Sequence, residues 1–157
     1  MSSRRIFLAG LSGAFATGCG FTAGLAPEFR GRSLEGVPFT RESLQGRPVL
    51  IQFWATWCGY CRRDQSAVDD IAYQYLGRLH VLAVNVGEDS RTVRGYLAQS
   101  PRRGQVVLNE DTDLVDVFRP SGFPHYVMLG KDSEIVGVQR GSAGENGLKR
   151  LVERAGL

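Results

Sequence analysis

Val49-Leu50-Ile51-Gln52-Phe53-Trp54-Ala55-Thr56-Trp57-Cys58-Gly59-Tyr60-Cys61 is the stretch that decides how this 157-residue chain is read. Val49 to Trp54 is a short apolar run rich in β-formers, and reads as a buried strand. Beyond it Cys58, Cys61, Val68, Ile71, Ala72 and Tyr75 recur at helical spacing. A helix is therefore expected from about the C-x-x-C to Leu76. The cysteines stand where strand hands over to helix. Only a thiolate attacks a disulfide, and a free cysteine, with a pKa of about 8.5, is mostly protonated at neutral pH. Unpaired N–H groups and the dipole at a helix N-terminus favour the thiolate. Cys58 is accordingly read as the attacking thiol. Cys61, one turn deeper and within disulfide reach, is the resolving thiol. Arg62 and Arg63 add positive charge nearby.

Other uses of a C-x-x-C fit less well. A structural zinc needs four ligands, and the sequence has no second Cys/His pair. Covalent haem attachment needs a histidine directly after the second cysteine, where Arg62 stands. An inert disulfide rarely lies between a buried strand and a helix start. A peroxidase would need a Thr-x-x-Cys loop, which is missing. A Cu(I) module using Cys58, Cys61 and His125 is chemically open, since soft thiolates select that ion. It ranks low, because copper-delivery proteins of related build space their cysteines one residue wider.

The chain outside the motif adds context. Hydrophobic residues make up 43% and charged residues 22%, a globular balance. The net charge of +3 includes Arg4 and Arg5, so no basic surface for nucleic acid is implied. Three cysteines are too few for a disulfide-stapled scaffold. Residues 1–19 read as an export signal: Arg4 and Arg5, a weakly apolar run from Ile6 to Phe15, then small residues. Ser3-Arg4-Arg5-Ile6-Phe7-Leu8 resembles a twin-arginine motif. Ala16-Thr17-Gly18-Cys19 resembles a lipobox, which makes Cys19 a candidate lipidation site against the plain alternative of a chance cysteine in a discarded peptide. The run is too short to span a membrane. Export implies an extracytoplasmic compartment, where disulfides persist. Residues 20–32 read as a tether and 33–157 as one domain. No separate dimerisation segment is evident, so a monomer is expected.

Within the domain, Leu79 to Val86 reads as a second apolar strand, Thr92 to Gln99 as a helix, and Val106 to Leu108 as a short strand. A short helix is expected from near Thr112, carrying Leu114, Val115 and Phe118. Tyr126 to Leu129 and Ile135 to Arg140 form a hairpin around Lys131-Asp132, and Leu148 to Leu157 a terminal amphipathic helix. The order gives an α/β fold, a central mixed sheet with helices on both faces. Glu88 ends a strand at the edge where chemistry gathers in such sheets. Partial desolvation there would raise its pKa and suit it to proton shuttling, whereas spacing alone favours a solvated loop acid beside Asp89. His80 is read as structural or exposed, and Trp54 and Trp57 as aromatics around the dithiol.

Phe53-Trp54-Ala55-Thr56-Trp57-Cys58-Gly59-Tyr60-Cys61 resembles the active-site segment of the TlpA/ResA branch of thioredoxin-like proteins. Val84-Asn85-Val86-Gly87-Glu88 is similar to that branch's acid-bearing strand end. Val106-Val107-Leu108-Asn109, Gly122-Phe123-Pro124 and Gly130-Lys131-Asp132 follow in the family order. The resemblance covers about residues 33–157. It implies a thioredoxin-like fold and a periplasmic or membrane-anchored reductase needing no cofactor beyond its dithiol. Its partners would be disulfide-bearing proteins, including apocytochromes c before haem attachment, with a membrane electron donor. It also implies that Glu88 is an active-site acid, that Pro124 is a cis-proline facing the dithiol, and that Phe123 and Pro124 meet the substrate; Trp57 is a further candidate for substrate contact, with a packing role as the equal alternative. Gln52 stands where thioredoxin itself carries a buried Asp, which agrees with the acid having moved to Glu88. The sequence departs from the family at two places. Tyr60 stands where Pro is frequent, and Gly59-Tyr60 looks like the dipeptide of periplasmic disulfide isomerases. Phe123 and His125 flank Pro124 in place of smaller residues. An isomerase or oxidase of the same fold is therefore the alternative.

Overall fold

The computed structural model describes residues 24–157. The export signal and Cys19 lie outside them. A seven-stranded mixed sheet runs in the order β2-β1-β5-β4-β3-β6-β7. The strands are β1 (Arg30–Ser33), β2 (Pro38–Thr40), β3 (Val49–Trp54), β4 (His80–Asn85), β5 (Gln105–Thr112), β6 (His125–Leu129) and β7 (Ile135–Arg140). The helices are α1 (Gly59–Gln74), α2 (Ser90–Gln99), α3 (Leu114–Phe118) and α4 (Gly144–Arg154). β3 is buried at every residue, and it pairs in parallel with β4 and antiparallel with β6. A strand covered on both faces needs an unbroken apolar run, which Val-Leu-Ile-Gln-Phe-Trp supplies except at Gln52.

Alternation along β3 sorts the two faces. Ile51 and Phe53 join Phe29, Phe39, Val84, Val107 and Leu114, so α3 and the segment leading into β1 cover that side. Leu50 packs with Val68, Ile71, Tyr126, Met128, Leu148 and Leu151, the inner faces of α1 and α4. Trp54 packs with Cys58, Cys61, Val93, Val106 and Leu108, where α2 closes the same face. The expected α/β sandwich is present.

The differences lie where pairing overrides local pattern. Residues 24–32, read as tether, lie against the domain. Ala26 N donates to Ser133 O, Ile135 N to Gly24 O, and Ala26 and Phe29 are buried. Arg30–Ser33 and Pro38–Thr40 carry no apolar run, yet they form a hairpin that pairs with β5. β5 runs to Thr112 rather than stopping at Leu108, because its polar end pairs with Gly31. α4 starts at Gly144, four residues before the expected Leu148. Its N-cap residue Ala143 has no capping side chain. The cap comes from α1 instead: Asp64 accepts from Ala143 N (2.7 Å), Gly144 N (3.3 Å), Ser142 Oγ and the Tyr126 hydroxyl (3.0 Å).

Asp64 is buried, so removing it strands four donors at once. Asp64→Ala is expected to destabilise the fold by about 2–4 kcal/mol, since unpaired buried donors and a lost cap each cost roughly 1–2 kcal/mol. Urea unfolding of the variant beside the parent reads this. A loss below about 0.5 kcal/mol would show that the cap is dispensable.

Candidate active site

The site is built at the carboxyl end of β3. Ala55 to Trp57 turn the chain, and Cys58 takes an extended backbone (φ −76°, ψ 104°) as the N-cap of α1. Its Sγ accepts from Cys61 N at 3.1 Å, so sulfur does what a Ser or Asp oxygen does at other helix starts. Cys58 and Cys61 are joined as a disulfide, with Cα atoms 5.2 Å apart. Cys58 is 4% exposed and Cys61 fully buried, so an incoming disulfide reaches Cys58 first. Once the bond is reduced, the same N–H and the helix dipole favour negative charge on Cys58.

The rim is aromatic. Trp57 is 67% and Tyr60 57% exposed. The Trp57 ring meets Phe123 edge-on at 6.0 Å between centroids. Phe123-Pro124 is a cis peptide, and Pro124 is buried at the start of β6. The two flanking arginines point to different partners. Arg62 Nη1 donates to Thr56 O at 2.9 Å, and Arg63 lies over the Tyr60 ring.

Glu88 reaches back to this loop. Gly87 has φ +81°, a conformation open to glycine, and turns the chain after β4. Glu88 Oε2 accepts from Thr56 N and Asn85 Nδ2, both at 2.7 Å, and Oε1 accepts from Thr56 Oγ1. Burial pushes the carboxyl upward, but the hydrogen bonds from Thr56 and Asn85 outweigh it and hold Glu88 below its ordinary value. The expected raised pKa is thereby corrected: Glu88 is a bound carboxylate at neutral pH. Thr56 and Asn85, which fix it, were not singled out in the sequence. Asn85 is a polar residue closing an otherwise apolar strand, and that was the available signal.

His125 lies elsewhere. Its ring meets Phe53 edge-on at 5.9 Å, on the opposite sheet face from the Trp54 cluster that holds the cysteines. Burial and the Arg140 charge lower its pKa. Among the described residues no three His, Cys, Asp or Glu side chains are grouped to hold a metal ion, so Cys58, Cys61 and His125 are not gathered for copper. His80 opens β4 and is half-buried.

With this geometry in view, residues 33–100 match the Thioredoxin family model. The thiol-disulfide oxidoreductase ResA of Bacillus cereus is 23% identical over 112 residues, covering 71% of this chain and 65% of that protein. The chain thus spans just under two thirds of that relative's length. A thioredoxin-family thiol:disulfide interchange protein from Chlorobium tepidum superposes with a TM-score of 0.74 at 22% identity, covering 87% of this chain and 99% of the other. A secreted disulfide oxidoreductase of Mycobacterium tuberculosis gives 0.65 at 17% identity, covering 81% and 93%. The fold is thioredoxin-like, and a C-x-x-C disulfide opens its first long helix. By sequence the chain is similar to the ResA-type thiol–disulfide oxidoreductases, and it shares their fold.

Because the folded-state pKa of Glu88 is depressed, its contribution to stability is present above the unfolded value of about 4.3 and fades as pH falls through the folded one. Glu88→Gln is therefore expected to be less stable than the parent at about pH 7, with the gap closing near pH 3. Urea midpoints at the two pH values check this. A gap that persists unchanged in acid would contradict it.

Proposed function

We propose that this chain is an extracytoplasmic reductase of disulfides in partner proteins, apocytochrome c among them, recharged by a membrane electron donor. The observation that carries the reading is Cys58 Sγ capping α1 at an aromatic, partly open rim. In the reduced protein, the Cys58 thiolate attacks one sulfur of a substrate disulfide. A mixed disulfide forms, and the other substrate sulfur leaves as a thiolate and takes up a proton. Cys61 then loses its proton and attacks Cys58 Sγ, which closes the Cys58–Cys61 bond and frees the second substrate thiol. Two electrons have passed to the substrate, and the chain returns to the disulfide seen here. The Cys61 proton passes to solvent, and Glu88, held as a carboxylate by Thr56 and Asn85, is the proposed site acid that fixes the turn delivering Cys58. Trp57, Phe123 and Pro124 form the proposed substrate rim.

The export reading of residues 1–19, with Cys19 as a lipid anchor, belongs to the same proposal. The compartment is also supported by the secreted mycobacterial neighbour. Among the described residues no helix is long and apolar enough to cross a membrane.

Trapping tests the reductase reading. A Cys61→Ser variant expressed in its own host is expected to retain substrate proteins as mixed disulfides through Cys58, released by a reductant. A Cys58→Ser control retains none. Recovery of no mixed disulfide from the Cys61→Ser variant would overturn the protein-substrate reading.

A further inference from the structure

Against Trp54, which packs with the dithiol, lies a charge that the reaction above does not use. Arg102, in the loop between α2 and β5, places its guanidinium over the Trp54 indole, with Cζ 3.5 Å from the ring centroid. Its Nη1 donates to Gln52 Oε1 at 3.0 Å. Its Nε and Nη2 are shut away from solvent and make no hydrogen bond of good geometry among the described residues, although the neutral Tyr96 side chain lies close enough to favour the cation. No carboxylate there pairs with it either. The nearby acid Asp69 has Oδ1 engaged by Gln65 Nε2 and Arg103 N, both at 2.8 Å. Burial lowers the Arg102 pKa to about 10, against the opposing pull of Tyr96, Asp69 and Tyr126. The group stays cationic at neutral pH.

A desolvated cation without a counterion is costly, and replacing such a charge by an apolar side chain is often neutral or stabilising. Retaining one calls for a state in which a negative charge faces it. Trp54, the ring that carries the cation, packs in one buried cluster with Cys58 and Cys61. In the oxidised chain that cluster is neutral. Reduction by two glutathione thiols breaks the Cys58–Cys61 bond and forms glutathione disulfide. It leaves one cysteine as thiol and the other as thiolate, with one proton released. The thiolate then shares this poorly solvated region with the guanidinium, where attraction is screened little.

We propose that Arg102 is a positioning residue for the redox equilibrium: stacked on Trp54 and held by Gln52, it stabilises the thiolate form and makes the dithiol more oxidising. The sign follows from the two states. The cation lowers the free energy of the reduced form and leaves the neutral disulfide untouched, so the reduction potential moves upward. Gln52 contributes by being neutral. A carboxylate at that position would pair with Arg102 and cancel its field at the sulfurs.

Equilibration of the full chain with glutathione buffers, read by alkylation and mass, tests this. Arg102→Met keeps the stem and removes the charge. It is expected to shift the equilibrium about tenfold toward the disulfide, or about 30 mV more negative. Arg102→Lys keeps the charge and stays within about threefold of the parent. Gln52→Glu leaves Arg102 in place, gives it a counterion, and moves in the same direction as Arg102→Met. It remains informative if the methionine variant fails to fold. An unchanged equilibrium in folded Arg102→Met, or an opposite shift in Gln52→Glu, overturns the proposal. So does a lysine variant displaced as far as the methionine one, which would show shape rather than charge at work. The inference rests on the redox reading of the dithiol, and the two fail differently. A parent chain that never exchanges with glutathione defeats that reading, while a parent that exchanges with indifferent variants defeats only the role of Arg102.

Discussion

The hydrogen bond from the Cys61 amide to Cys58 Sγ is the contact on which the proposed chemistry depends. It exists because β3 is buried and paired on both edges, so the chain leaving it has one direction in which to go. The turn at Ala55 to Trp57 then delivers Cys58 to the N-cap of a sixteen-residue helix. An oxygen at this position would only cap. Sulfur caps as well, and it is a nucleophile whose charged form is favoured by the group that caps it. Folding and reactivity therefore use the same N–H.

On the α1 and α4 face of the sheet, four polar side chains form one chain. Arg102 donates to Gln52, whose Nε2 lies 3.4 Å from the Tyr126 hydroxyl, and that hydroxyl donates to Asp64. Asp64 in turn caps α4. A cation at one end and a carboxylate at the other span the space behind the active-site helix. A neutral amide and a phenol lie between them, and burial together with Asp64 keeps the Tyr126 hydroxyl protonated. Glu88 is not part of this array. It serves the front of the site by tying the Thr56 turn to the end of β4.

The sequence was legible where the determining contacts are local. The run Val49 to Trp54 and the spacing of Cys61, Val68 and Ile71 located the sheet centre and the helix. It was silent where partners come from far along the chain. Arg-Gly-Arg-Ser and Pro-Phe-Thr are strands because β5 and each other offer edges, and nothing in their own pattern says so. The start of α4 is set by an aspartate 80 residues away. The ionisation of Glu88 was misjudged because its donors include a threonine 32 residues earlier, whose bonds outweigh the desolvation that position alone implied. Asp64 gave one overlooked signal, an acid on the same helical stripe as Cys61, Val68 and Ile71. An acid on an otherwise buried face needs internal partners.

The central claim is that the helix start makes Cys58 the nucleophile and leaves Cys61 to resolve. Alkylation of the reduced chain by iodoacetamide across a pH series, with the modified peptides identified by mass, tests it most directly. The account predicts that Cys58 is modified first, with an apparent pKa clearly below the free-cysteine value of about 8.5, while Cys61 remains protected. Modification of Cys61 at an equal or greater rate, or a Cys58 pKa at or above the free value, would contradict it.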